Sequence, residues 1–284
     1  MSERSPSPDA PGRAALAAFL DAHRRVAVIT GAGCSTASGI PDYRDDRGAW
    51  KRKPPVTHQA FVGDDRVRRR YWARSLVGWP AFGRARPNAA HRALAALERD
   101  GRIEGLITQN VDRLHQRAGS TRVIDLHGRL DQVVCLGCGH RLPRESFQQA
   151  LARANDGWAA RWITGAEAIA PDGDADLQDA VFDDFSVPAC RRCGGVLKPD
   201  VVFFGDNVPA ARVREARAWI DGADALLVVG SSLAVYSGYR FVRQAVDRGI
   251  AVAAVNRGVT RADPLLSLKI DARCEQVFTP PADG

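Results

Sequence analysis

Residues 25–44 read RVAVITGAGCSTASGIPDYR. Arg25 to Thr30 is a short β-branched run that ends on Gly31, and runs of the same kind recur at 103–108 (IEGLIT), 122–127 (RVIDLH), 225–230 (ALLVVG) and 251–256 (AVAAVN). Strands this apolar at successive positions suit a parallel sheet buried on both faces. Helical patterns lie between some of them, at 14–22, at 89–99 after Pro87-Asn88 and before Gly101, at 210–220, and at 238–248 before Gly249. The alternation predicts an α/β fold, a Rossmann-like doubly wound parallel sheet. Two stretches interrupt it: the Arg-rich segment 42–86 and the segment 135–198, which carries paired cysteines. The expected layout is one folded unit over 12–278. Its larger lobe is drawn from 12–41, 87–134 and 199–278, and its smaller lobe is formed by the two insertions. A tail over 1–11, rich in Ser, Pro and Asp, is expected to be disordered, and a second tail covers 279–284.

The chain has 284 residues, 45% hydrophobic and 26% charged, with a formal charge of +7. That charge comes from 36 Arg and only 4 Lys, and it is read as a solvated basic surface with no specific nucleic-acid partner. No apolar run reaches the roughly 18 residues of a membrane span, and the first ten residues lack an apolar signal segment. The expectation is a cytoplasmic monomer with no membrane partner.

Cys135-Leu-Gly-Cys138-Gly and Cys190-Arg-Arg-Cys193-Gly are two copies of C-x-x-C-G. Four thiolates make a closed tetrahedral zinc site, which leaves no position for water or substrate and is therefore structural. A redox or disulfide pair is the alternative, disfavoured where thiols stay reduced. The 51 residues between the pairs (139–189), with Trp158, Trp162 and the acidic PDGDAD at 171–176, are expected to loop over the small lobe. Cys34 is either a small buried residue or a thiol activated by a helix N-terminus.

Gly31 and Gly33 follow the first strand, where backbone N–H groups can approach a pyrophosphate, although the third glycine of G-x-G-x-x-G is missing. Thr108-Gln109-Asn110-Val-Asp112, Leu126-His127-Gly128 and Gly230-Ser231-Ser232 end three further strands. Polar groups gathered at strand ends mark the crevice in which α/β proteins bind ligands.

Taken together, GAGCSTASGIPDYR, TQNVDRLH (108–115), LHG, the two C-x-x-C pairs, KPDVVFFGD (198–206), GSSLAVYSG (230–238) and VNRG (255–258) resemble the sirtuin family in its own order over 12–278. YWAR with VGW (71–79), the PDGD insert and VVFFGDNV (201–208) are most similar to its class II branch, the sirtuin-4 type. The resemblance implies an NAD-dependent protein-lysine deacylase that releases nicotinamide and passes the acyl group from lysine to ADP-ribose. One zinc per chain and acylated lysine side chains of proteins as partners go with it.

By the same resemblance, His127 is the general base, with Asn110 and Asp112 as the other catalytic residues. Gln109, Asn110 and Asp112 would orient the nicotinamide end. Gly31, Ala32, Gly33, Ser35 and Thr36 would form the first cofactor turn, and Asp42, Tyr43 and Arg44 a flexible cofactor loop. Gly230, Ser231, Ser232, Asn256, Arg257, Gly258 and the backbone at Cys274 would complete the cofactor site. An extended substrate peptide would lie between Phe204-Gly205-Asp206 and Val235. Tyr71 and Arg74, spaced i, i+3, would grip carboxyl-bearing acyl groups, or else be incidental to an Arg-rich helix. In this branch the preference extends to branched or lipoyl-type acyl groups. A mono-ADP-ribosyltransferase using the same NAD site is the alternative. A non-catalytic NAD-binding zinc module is another, and His127, Asn110 and Asp112 argue against it.

Overall fold

Alternate residues of strand β1 (Val26–Thr30) face opposite sides of a sheet, and every one of them is buried. Val26 and Val28 pack on one side with Leu16, Phe19, Leu94 and Phe278, whereas Ala27 and Ile29 pack on the other with Ile220, Phe241 and Val242. The run is apolar without alternation because both faces are covered by helices. The computed structural model describes residues 10–51, 55–158, 170–175, 177 and 181–279. Trp162, Asp176 and most of the two expected tails lie outside the described residues.

Strand β1 pairs in parallel with β2 (Ile103–Thr108) on one side and β7 (Ala225–Val229) on the other. The sheet is extended by β3 (Val123–Asp125), β8 (Ala251–Val255) and β9 (Leu268–Ile270), in the order β3-β2-β1-β7-β8-β9. Strands β2 and β7 therefore lead away from β1 in opposite directions, which makes the C-terminal end of β1 a topological switch point. Helices Ala10–Ala22, Ala89–Arg99 and Cys274–Phe278 cover one face, and Ala210–Gly222 and Tyr236–Asp247 the other. The first helix begins at Ala10, four residues before the expected start. Pro11 sits in its first turn, where a missing N–H breaks no hydrogen bond.

The Ala89–Arg99 helix starts on a reciprocal cap. Asn88 Oδ1 accepts from the backbone N–H of Ala90 and His91, and His91 Nδ1 accepts from the N–H of Asn88. Asn88 also donates through Nδ2 to the Cys34 carbonyl, so the same residue fastens this helix to the turn after β1.

A second, antiparallel sheet has the order β5-β4-β6, formed by β4 (Gly128–Cys135), β5 (Arg141–Pro143) and β6 (Leu197–Val201). Its core is aromatic. Tyr71 and Trp72 of helix Asp65–Arg84 pack with Phe61, Phe147 and Phe203, and Trp72 Nε1 donates to the Leu197 carbonyl. The small sheet takes up residues 128–134 and 199–201, which the sequence reading had assigned to the larger lobe. Only Leu126 and His127 separate β3 in one sheet from β4 in the other. Gly128 makes that change of direction at φ +86°, with Asp200 O 2.1 Å from where a Cβ would stand. Among the described residues no helix is long and apolar enough to cross a membrane.

Candidate active site

A cleft of about 1010 Å³ opens at the switch point, between the C-terminal ends of the large sheet and the small lobe. Its first wall is the turn after β1. A Cβ on Gly31 would meet the Ser231 Cβ at 2.7 Å, and one on Gly33 would meet the Gly230 carbonyl at 3.0 Å. The two glycines let this turn lie against the end of β7. Their N–H groups donate to Val229 and Gly230, so they brace β1 to β7 as well as bordering the cleft.

Side chains from the other strand ends lock onto this turn. Asn110 Nδ2 donates to the Gly31 carbonyl and to Ser35 Oγ, each at 3.0 Å. Ser35 Oγ donates to Asp112 Oδ2 at 2.7 Å, while Asp112 Oδ1 accepts from the Leu114 N–H. Burial raises the Asp112 carboxyl, against those two hydrogen bonds. Gln109 Nε2 donates to Ser231 Oγ at 2.7 Å. The Gln109 amide lies on helix Tyr236–Asp247, 2.6 Å from where a Cβ on Gly238 would stand, so a side chain at 238 would have to displace it.

His127 sits where the two sheets meet. Its Nδ1 lies 3.1 Å from the Gln109 carbonyl, which can only accept, so Nδ1 carries the proton and Nε2 presents a lone pair. Ser237 Oγ donates to that nitrogen at 2.7 Å. Burial lowers the His127 pKa to about 4, opposed by the bond to Gln109 and assisted by the charges of Arg212 and Arg240. The imidazole is thus a neutral proton acceptor throughout the neutral pH range. Ser237 is not singled out by the sequence, which places only its neighbour Val235 beside the peptide and offers no hydroxyl partner for the base.

His91, buried in the large lobe, is also drawn down to about 4 by burial and by Arg92. Each depressed histidine adds stability that is complete above the ordinary value of 6.5 and is lost as pH falls toward 4, where the folded form finally takes its proton. In an NMR titration the rings of His91 and His127 are expected to keep neutral-form shifts from pH 8 down to pH 5. A midpoint near 6.5 for either ring would mean that it is solvated.

The segment 42–51 closes one end of the cleft and is held by its own contacts. Asp42 pairs with Lys51 at 2.5 Å and Asp46 with Arg257 at 2.9 Å, while Tyr43 packs edge-on to Trp50 and Phe204. The Arg44 guanidinium stacks 4.0 Å over Trp50 and donates to the Gly48 carbonyl, so its charge is engaged within the segment although Arg44 borders the cleft. Ala32, Thr36, Ser232, Asn256 and Cys274 also line the cleft, as do Phe204, Gly205, Asp206 and Val235 on the expected peptide side. Gly258 does not. Its N–H donates to Asp271, and a Cβ there would stand 2.2 Å from the Asp46 carbonyl oxygen, so its role is to pack against the closing segment.

Tyr71 and Arg74 are not brought to the cleft either. Tyr71 is fully buried behind Phe203 in the aromatic core. Arg74 Nε donates to the Ala175 carbonyl at 2.7 Å, its own carbonyl accepts from the Ala175 N–H, and Asp174 lies 3.9 Å away. The helix holds the returning insert with this arginine. The insert itself reaches the cleft at Pro171 and Asp172.

In the small lobe the four Sγ atoms of Cys135, Cys138, Cys190 and Cys193 lie within 4.8 Å of one another, with Cys135–Cys193 at 3.5 Å and Cys138–Cys190 at 3.8 Å. Thiolates about 2.3 Å from a zinc stand about 3.8 Å apart at the tetrahedral angle. All four cysteines are unbridged, and the spacing fits zinc. Cys34, His91 and His115 also gather within 4.8 Å. They do not suit a metal, because His91 Nδ1 is occupied by the Asn88 N–H and its Nε2 must then carry the proton. Burial, with Cys274, Asp112 and Glu275 adding to it, raises the Cys34 thiol well above its ordinary value, so Cys34 is a packing residue and not an activated thiol.

A neutral base at the seam of two lobes, opening on a cleft at a switch point, is the layout of a two-lobed α/β protein that transforms a bound ligand. The Sir2 family model matches residues 31–237, and the chain belongs to that family. It is 63% identical over 264 residues to the NAD-dependent protein deacetylase of Xanthomonas campestris pv. campestris (strain 8004), covering 93% of this chain and 89% of that protein. NAD-dependent protein deacetylase 2 of Bradyrhizobium diazoefficiens is 61% identical over 257 residues, 90% of this chain and 93% of its own length. Among solved structures, a Sir2 complex with p53 peptide and NAD+ superposes with a TM-score of 0.75 at 31% identity, covering 93% of this chain and 94% of the other. A Sir2 bound to acetylated peptide gives 0.74 at 30% identity, with the same coverage.

Proposed function

We propose that this chain is an NAD-dependent protein deacetylase, which releases nicotinamide and moves the acetyl group of an acetyl-lysine onto ADP-ribose. The observation that carries the reading is His127. It is a half-buried, neutral imidazole with Nδ1 fixed on a carbonyl and the Nε2 lone pair held ready by Ser237. The cleft, at about 1010 Å³, has room for a dinucleotide beside a lysine side chain, and its glycine turn, Gln109, Asn110 and Asp112 offer the amide and carboxylate groups that such a ligand needs.

NAD, when bound, supplies the ribose carbon that nicotinamide leaves and the ribose hydroxyl that receives the acyl group. His127 accepts the proton of that hydroxyl at Nε2 after Ser237 Oγ has given up its place there, and the Gln109 carbonyl steadies the resulting imidazolium through Nδ1–H. Asn110, fastened to Gly31 and Ser35, and Asp112, fastened to Ser35, orient the nicotinamide end. The backbone of 204–206 and 233–237 receives the peptide as an added strand, a mode that tolerates many sequences. A structural zinc on the four cysteines shapes the small lobe.

The finer class II, sirtuin-4-type placement rests on the resemblance of YWAR (71–74), the PDGD insert and VVFFGDNV. An acyl range beyond acetyl belongs to the same proposal. Because Arg74 is engaged by Ala175, acetyl-lysine is the first substrate to test. A cytoplasmic monomer, with its cysteines kept reduced, completes the proposal.

The deciding experiment incubates the protein with NAD and acetyl-lysine peptide and identifies products by mass spectrometry. O-acetyl-ADP-ribose together with free nicotinamide is expected. A protein or peptide that gains ADP-ribose instead would identify a transferase, and no nicotinamide release with any peptide would overturn the reading.

A further inference from the structure

Helix Tyr236–Asp247 carries a cation for which the described residues provide no counter-ion. Arg240 lies one turn beyond Ser237, on the same face by its i, i+3 spacing, and lines the cleft. Its Nε is shielded from solvent and has no hydrogen-bond partner. Among the described residues none forms an ion pair with it, because acids of the cleft wall are engaged elsewhere. Asp42 pairs with Lys51, Asp46 with Arg257, Asp206 lies 3.3 Å from His58 Nδ1, and Asp112 holds Ser35. The guanidinium sits 5.4 Å from the Tyr236 ring, a face that offers its Nε–H no oxygen acceptor. A donor shielded in this way gains most from an anionic acceptor that arrives with a ligand.

We propose that Arg240 is the receptor for a carboxylate of the bound substrate, carried either on a side chain flanking the acyl-lysine or at the end of the acyl chain. Arg240 is then a specificity-determining residue, and its planar fork suits bidentate capture of a carboxylate. Arg74, which the resemblance implied for such a task, has its Nε committed to Ala175, whereas Arg240 is open toward the cleft. The inference rests on the acyl-lysine reading above.

The test uses the full chain and fluorescein-labelled peptides. One is an acetyl-lysine peptide flanked only by Ala, a second set carries Glu at each of the two positions on either side, and a third is a glutaryl-lysine peptide flanked by Ala. Binding is read by fluorescence anisotropy, and kcat and KM are read in parallel, for wild type, Arg240→Gln and Arg240→Lys. Wild type is expected to bind one of the carboxylate peptides about tenfold more tightly than the neutral one, the factor for a weak charge-assisted hydrogen bond. The ratio should fall to near one in Arg240→Gln, persist in part in Arg240→Lys, and appear in KM and not in kcat. The Glu and glutaryl arms identify the source of the carboxylate. A ratio near one in wild type for every carboxylate peptide, or a preference that survives Arg240→Gln, overturns the proposal. Failure of all peptides to bind would instead sink the acyl-lysine reading, and this inference with it.

Discussion

Replacing His127 by alanine is expected to lower acetyl-lysine-dependent nicotinamide release by about 100- to 10,000-fold, the usual worth of a positioned general base, while leaving the fold in place. The ring borders a cleft that water can enter, so its removal leaves the Gln109 carbonyl and the Ser237 hydroxyl solvated and not orphaned in a dry core. The loss should fall on turnover, with the melting temperature and far-ultraviolet circular dichroism close to those of wild type. Residual activity within tenfold of wild type would show that another group accepts the proton. Unfolding of the variant would show that the histidine is structural.

Removal of metal from the four-cysteine cluster is expected to unfold the small lobe. Structural zinc contributes about 10–16 kcal/mol of apparent binding free energy at neutral pH, as much as the whole stability of a typical domain. Cys135 ends β4 and the strand begins directly after His127, so loss of the cluster should release the base as well as the small sheet. Elemental analysis should find one zinc per chain. A strong chelator should change the fluorescence of Trp72 and Trp79, which pack in the small lobe, and abolish turnover. A chain that keeps its tryptophan signal and its activity after the metal is stripped would show that the cluster is dispensable.

The large sheet was legible in the sequence because burial on both faces leaves an unmistakable composition in strands such as 26–30 and 225–229. Strand β9 was not. It is three residues at a sheet edge with Lys269 at its centre, too short to show periodicity. His127 was visible as one of several polar groups at strand ends, and the C-x-x-C pairs were visible through their spacing. The boundary at Gly128 was missed because the strand patterns on either side of it are alike, and only three-dimensional pairing assigns them to different sheets. The i, i+3 spacing of Tyr71 and Arg74 established a shared helical neighbourhood but not which way that neighbourhood faced. The Ala175 carbonyl that takes up Arg74 lies about a hundred positions away, beyond the reach of any local pattern. The same is true of Ser237, whose hydrogen bond to His127 joins elements separated by more than a hundred residues.

The pairing of β1 with β7 sets the order in which this chain can mature on the ribosome. Val26 lies beside Ala225, 199 positions later, whereas the other side of β1 is met by β2. At about 5–20 residues per second, β1 waits about 10–40 s for its second neighbour, with β2 and β3 available much sooner. During that interval one hydrogen-bonding edge of an apolar strand stays open, which is the kind of surface that chaperones cover and aggregates exploit. The glycine turn that follows β1 is completed only when Gly230 and Ser231 emerge, so the nascent chain acquires its binding pocket in the last fifth of its synthesis.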